Sequence, residues 1–415
     1  MSSEGGLWHH RDFLRFWTGD TITQFTGQIS GFAFPIVALL VLDATAFELG
    51  VLEALAFIPF PTIALFVGVW MDRWRRRPVM IVANLIQVVA LGSIPVAYLL
   101  HVLSLYQLFA VALVMGITTV FYDVAYQSYL PSLVAREDVV EGNQKLQVSA
   151  SASNVVGPSV ASGLYALIGA ALSIAADAVG TLVAAFALAF IRKPESAPAP
   201  GGPGTERHFF SEMKEGIKVV LGNKLLWTQA GCTGTSNLGS NVVNVALLLY
   251  IYRVLLISPQ VAGIIFTIGA VGFLLGVLAT SRITTRIGLG RTIALSISSS
   301  FGLFVVLLAQ GEFAPLVVGV GEFIVGFGVP IYNINQVSLR QIITPNRLQG
   351  RMNATMRTII WGTIPVGSLL GGVLSSALGV VPTLVLGIFI SGGAVVWIVF
   401  GPIFRLEEQP EPASD

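Results

Sequence analysis

The chain reads as an all-α membrane protein of twelve transmembrane helices, arranged as two pseudo-symmetric halves of six. Three observations lead there. Of 415 residues, 54% are hydrophobic and only 11% are charged, whereas soluble domains carry about a quarter charged residues. Apolar runs of the ~20 residues needed to cross a bilayer recur along the whole length. Residues of the first half also reappear in the second at one constant offset.

The expected spans cover approximately 14–42, 47–70, 78–100, 105–131, 145–168, 170–191, 225–252, 258–281, 291–310, 314–338, 354–378 and 381–404. The first follows Arg11 and Arg15, is too long for a signal-peptide core, and lacks a small-residue cleavage site, so it is expected to be retained. Between the second and third lies Gly68 to Arg77, where Asp72 sits among Arg73, Arg75, Arg76 and Arg77. So much charge cannot lie in hydrocarbon, and the positive-inside rule places this turn at the cytoplasmic face. Gly68 is expected to allow close backbone approach there. Of the 23 Lys and Arg residues, only Arg253 falls at an outer end under this threading. Both termini are therefore expected in the cytoplasm of a bacterium, with the chain multi-pass in the inner membrane.

Past the sixth span, Lys193 to Arg207 is rich in Pro, Ala and Gly and reads as a flexible linker. Phe209, Phe210, Met213, Ile217, Val220 and Leu221 then fall on one face of a short helix expected to lie on the inner bilayer surface. The organisation is thus a six-helix half over 1–192, a linker with its surface helix over 193–224, a second half over 225–405, and an acidic tail over 406–415. Trp17-Thr18 recurs as Trp227-Thr228, and Tyr122, Ser128, Asn143 and Gly157 recur as Tyr332, Ser338, Asn353 and Gly367. A decayed copy of the charged turn runs from Gly276 to Arg286, with Thr280 in the place of Asp72. Two such halves related by an axis along the membrane normal make a transporter architecture.

Several functions are excluded by what the sequence lacks. It has no Gly-x4-Gly-Lys phosphate loop, so direct ATP drive is not expected. His9, His10, His101 and His208 lie outside or at the ends of spans, and Cys232 is the single cysteine. No metal site, cofactor or enzymatic centre is expected, and a net charge of +1 distributed by topology does not indicate nucleic acid. An ionised side chain without a partner is costly in hydrocarbon, so acids within spans are informative: Asp20, Glu53, Asp123, Asp177 and Glu322. Glu322 has no basic residue within two turns along the chain, and it is expected either to bind a proton or cationic substrate or to join helices. Asp20 begins a stripe with Gln24 and Gln28, where coupling, gating and capping all compete. Glu53 and Asp177 lie about two turns from outer ends and are expected to be hydrated. Asn237, Asn241 and Asn244 form an amide stripe on the seventh span that must face protein or water. With Gln24 and Gln28 they are candidate substrate lining, and Tyr122, Tyr126 and Tyr332 are candidate amphipathic walls.

Gly68-x3-Asp72-Arg73-x2-Arg76-Arg77 resembles the signature between the second and third spans of the major facilitator superfamily, with Arg75 where most members carry Gly. Phe47-Glu48-Leu49-Gly50, the run Phe121 to Pro131 and the run Asn333 to Gln341 resemble the bacterial efflux branch with macrolide and enterobactin-type exporters. The resemblance implies a gating latch of Gly68, Asp72, Arg73, Arg76, Arg77 and Asp123. In it Asp72 would accept from Arg76 or cap the eleventh helix near Asn353, and Asp123 would pair with Arg73 or Arg76. It also implies that the first, fourth, seventh and tenth spans line the cavity, which makes Glu322 and Asp20 the proton-coupling candidates. Gly157-Pro158 resembles the helix-bending motif of antiporters, although the glycine pair after the Pro is only partly kept and the usual fourth-span arginine is replaced by apolar residues around Leu113. The implied function is export of small amphipathic compounds in exchange for protons, by a monomer in the lipid bilayer. Import or facilitated diffusion, lipid flipping, and sensing without transport are the alternatives.

Overall fold

In a computed structural model the described residues are 7–71, 74–135, 138–195, 209–408 and 410, with 65, 69, 209–215, 346, 347, 350 and 354 described by backbone only. Among them the chain is helical, in the order α1 (Arg11–Ile36), α2 (Ala46–Phe57), α3 (Pro59–Met71), α4 (Arg76–Leu99), α5 (Leu105–Leu133), α6 (Val139–Ile168) and α7 (Ala170–Ala189). There follow α8 (Phe209–Gly222), α9 (Lys224–Leu249), α10 (Pro259–Ile287), α11 (Leu289–Ser298), α12 (Ala314–Ile342), α13 (Asn346–Leu378), α14 (Val380–Gly393) and α15 (Val395–Val399). Helix starts follow local chemistry. His10 Nδ1 accepts from the Phe13 amide, Ser104 caps α5 through Gln107, and Asn223 accepts from Leu225 and Leu226 at the start of α9; each satisfies amides that the first helical turn leaves free.

Among the described residues, ten helical segments are long and apolar enough to cross a membrane, which makes this a multi-pass membrane protein. α6 and α9, expected as the fifth and seventh spans, are long helices but too polar to meet that measure. Their excess polarity comes from Ser149, Ser151, Ser153 and Asn154 on α6, and from Thr228, Gln229, Thr233 and Asn237 on α9. The second expected span, 47–70, is two helices meeting at Ile58, where Pro59 offers no amide to continue the ladder.

The chain forms two compact units: residues 1–44 with 55–202, and residues 45–54 with 203–415. In the first, α1 packs on α6 and α7, and α4 packs on α5 and α7. A core of Phe13, Phe16, Val67, Met71, Met80, Tyr129 and Leu133 fills one end. In the second unit α10 lies along α12, and α9 along α13 and α14. There Val220 of α8 is buried with Leu226, Ala230, Met352 and Met356, and Gly216 abuts the Arg351 carbonyl. The amphipathic helix therefore docks on α9 and α13 through Val220, while Ile217 and Leu221 stay exposed.

Candidate functional site

The charged turn is anchored by partners that its own motif does not contain. The Glu195 carboxylate accepts from the backbone amides of Arg76 at 2.7 Å and Arg77 at 3.1 Å, capping α4 with negative charge. Its Oε1 also lies 3.8 Å from the Arg76 guanidinium. Arg77 does the converse. Its Nε donates to the Leu188 carbonyl at 2.8 Å and a terminal nitrogen donates to the Ala189 carbonyl, placing a cation at the negative end of α7. The segment after α7 is further held by Asp12, which accepts from the amides of Arg192 at 3.1 Å and Lys193 at 2.8 Å. Residues 193–195, read from composition as the start of a flexible linker, are pinned. Trp74 stacks on Phe121 of α5 at 6.5 Å and on Trp70 at 5.8 Å, fixing the turn from its other side.

Asp72 and Arg73 lie outside the described residues, and with them the predicted contacts of Asp72 to Arg76 or Asn353 and of Arg73 to Asp123. Among the described residues, a Cβ built on Gly68 meets nothing within 4 Å, so none of them approaches its backbone closely. The approach expected of it occurs at the repeat-related Gly276, where an added Cβ would strike the Phe327 carbonyl of α12 and stand 2.8 Å from Pro330.

Asp20, Asp123, Tyr122 and Tyr126 form one cluster on facing sides of α1 and α5. Asp20 is 4% exposed, with Tyr126 and Gln24 within hydrogen-bonding reach of its carboxylate, and its Oδ2 has no partner. Tyr122 stacks on Tyr126 at 6.0 Å, and Phe16 closes the far side of Tyr126 at 5.3 Å. An acid backed by aromatic faces suits a proton or an organic cation. Gln28, two turns along α1 from Asp20, donates to Asn154 of α6 at 2.7 Å. Its Cγ would lie 2.5 Å from a Cβ on Gly157, so the glycine of the Gly157-Pro158 pair is where the Gln28 side chain crosses α6.

In the second unit the amides differ in what they do. Asn237 donates to the Ile360 carbonyl of α13 at 3.2 Å, and Asn241 donates back to the Asn237 carbonyl at 2.8 Å. Asn244 is exposed. Tyr332, expected as a wall, is 5% exposed and shares a 2.6 Å hydrogen bond with Thr233 inside the apolar core. Glu322 is half-buried on the side of α12 facing α10, where its Oε2 would touch a Cβ on Gly269 at 3.4 Å. Among the described residues neither Glu322 nor the half-buried Glu53 has a hydrogen-bond or ion-pair partner. Asp177, expected near water, is 2% exposed between α1 and α7. Sequence reasoning missed Glu195 and Asp12; the signal was an acid one step beyond a span end on the face that carries the arginines.

Comparison with known proteins agrees with this architecture. A family model described as Major Facilitator Superfamily matches residues 16–237. Macrolide efflux protein A of Streptococcus pyogenes is 27% identical over 89% of this chain and 90% of its own length. The enterobactin exporter EntS of Salmonella typhimurium is 25% identical over 84% of this chain and 82% of its own. Among solved structures, the nucleoside transporter NupG superposes with a TM-score of 0.72 at 14% identity, over 95% of this chain and 99% of that one. A bacterial ferroportin homologue captured inward-facing gives 0.70 at 16%, over 94% and 99%. These two speak to the fold. With the family model covering more than half of the residues, and with paired helical units and a charged turn after the second span, the chain belongs to the Major Facilitator Superfamily and is a membrane transporter.

Proposed function

We propose that this transporter exports small amphipathic compounds from a bacterial cytoplasm by alternating access, in exchange for protons, with both termini inside. The observation that carries the reading is the Asp20 cluster: a buried acid with one unpartnered oxygen, set against Tyr122 and Tyr126 on α5. A carboxylate buried in a span without a cationic partner is tolerated there by taking up a proton or a cation, and adjacent aromatic faces favour a neutral or cationic organic partner. The printed names of the macrolide and enterobactin relatives support the outward direction. Gln24 and the Asn237, Asn241, Asn244 stripe would supply polar contacts, and Glu322 is the second coupling candidate. Asp72, Arg73, Arg76, Arg77 and Asp123 act as the latch, with Glu195 and the end of α7 as its fixed base. The chain is taken to work as a monomer.

Purified protein in liposomes with an acidic lumen and a pH-sensitive dye tests the reading. Compounds of macrolide, siderophore and organic-cation type are added in turn. Proton release that depends on the compound, and is lost in Asp20→Asn, is expected. Release that persists in Asp20→Asn and vanishes in Glu322→Gln moves the carrier to α12. Binding without proton movement for every compound refutes the exchange.

A further inference from the structure

A second polar cluster lies apart from the Asp20 group, at the contact of α1 with α7. Thr26 and Ser30 are one turn apart on α1, and Asp177 and Thr181 are one turn apart on the facing side of α7. Asp177 is 2%, Thr181 1% and Ser30 6% exposed. Thr181 Oγ1 donates to Asp177 Oδ1 at 3.3 Å. The hydroxyls of Thr26 and Ser30 stand within hydrogen-bonding reach of the same carboxylate, and among the described residues neither closes a well-aligned bond to any group.

That is unusual for hydroxyls in these helices. Thr23, Thr62, Thr118, Ser173 and Thr280 all donate to the carbonyl four residues earlier, the default for a hydroxyl with nothing better to bind. Thr26 and Ser30 forgo that bond and leave two buried oxygens unpartnered beside a buried acid. Unsatisfied buried polar atoms are costly and call for a missing ligand.

We propose that Asp177, Thr26, Ser30 and Thr181 form a binding site for a monovalent alkali cation of sodium size. The donor set is oxygen only, which selects hard cations over thiophilic or imidazole-seeking metals. One carboxylate with three neutral hydroxyls balances one positive charge, whereas a divalent ion would leave a net charge buried in a span. A Cβ on Gly180 would stand 2.5 Å from Thr26 Cγ2 and 2.7 Å from its Oγ1, so the two helices approach closely at this level, and the smaller alkali ion is the one proposed. A bound ion here would tie the first membrane helix to the one that ends at the charged turn's anchor.

Equilibrium binding of 22Na+ to the full-length protein in lipid nanodiscs tests the site. Saturable binding is expected, competed by unlabelled Na+ and poorly by K+. The site should be lost in Asp177→Asn and weakened roughly tenfold, the equivalent of about 1.4 kcal/mol, in Ser30→Ala. Wild-type melting temperature should also rise in NaCl relative to KCl at equal ionic strength. Should Asp177→Asn fail to fold, Ser30→Ala, which keeps the charge, decides the matter. Absence of saturable 22Na+ binding, binding unchanged in Ser30→Ala, or binding lost in Asp20→Asn but kept in Asp177→Asn each overturns the proposal.

Discussion

Replacing Glu195 with alanine removes two charge-assisted acceptors from the first turn of α4 and the partner of the Arg76 guanidinium. Loss of an N-terminal cap costs about 1 kcal/mol, within a range of roughly 0.5–2. The loss of negative charge beside the helix dipole adds about 0.3–1. Arg76 is about one-third exposed and the ion pair is long, so its share is discounted to a few tenths at most. The total is about 2 kcal/mol. For a unit of roughly 150–250 residues, that corresponds to a fall in melting temperature of about 4–8 °C. Glu195→Gln keeps one acceptor oxygen and loses the charge, so it should fall about halfway. Thermal unfolding of the purified variants, followed by tryptophan fluorescence, provides the measure, since Trp70 and Trp74 stack beside this turn. If Glu195→Ala melts with the wild type, or Glu195→Gln melts below Glu195→Ala, the carboxylate is not the cap described.

Gly68→Ala and Gly276→Ala should behave oppositely. The first fills open space and gains helix propensity, leaving melting unchanged or slightly raised, whereas the second drives a methyl into Phe327 and should lose about 1–3 kcal/mol. Equal effects in a thermal-shift assay would refute the placement. Tyr332→Phe removes the 2.6 Å bond to Thr233 in the core, with an expected loss of about 1 kcal/mol and no change in the concentration of compound that half-saturates transport. A shift in that concentration would return Tyr332 to the substrate wall.

Much of the fold was legible because apolar runs and arginine placement are properties of single segments. The turn at Gly68 to Arg77 and the halves' repeat needed no third dimension. What failed to show were the features that depend on which helix faces which. Asp177 looks interfacial when counted along its own span, yet α1 covers it completely. Tyr332 shares its repeat position with Tyr122, but the two units pack that position differently, one beside acids and one beside Thr233. Glu195 was hidden because the Pro, Ala and Gly that follow it read as linker, while its role comes from α4 starting where α7 ends. The break at Ile58 was legible in principle, since Pro59 and Pro61 stand in an otherwise continuous apolar run.

The polarity of α6 and α9 bears on how the chain enters its membrane. A segment is released sideways into lipid according to its own apolarity, and these two fall short of it. α9 is the more demanding case, because the linker and α8 separate it in sequence from the preceding span. Its successor α10 is the most apolar of the ten spanning segments. The helices that receive α9's amides and hydroxyls are α13 and α14, so α9 is expected to settle in the membrane only once they arrive. Correct biogenesis would then hinge on the late helices α13 and α14 and not on the apolarity of α9 itself.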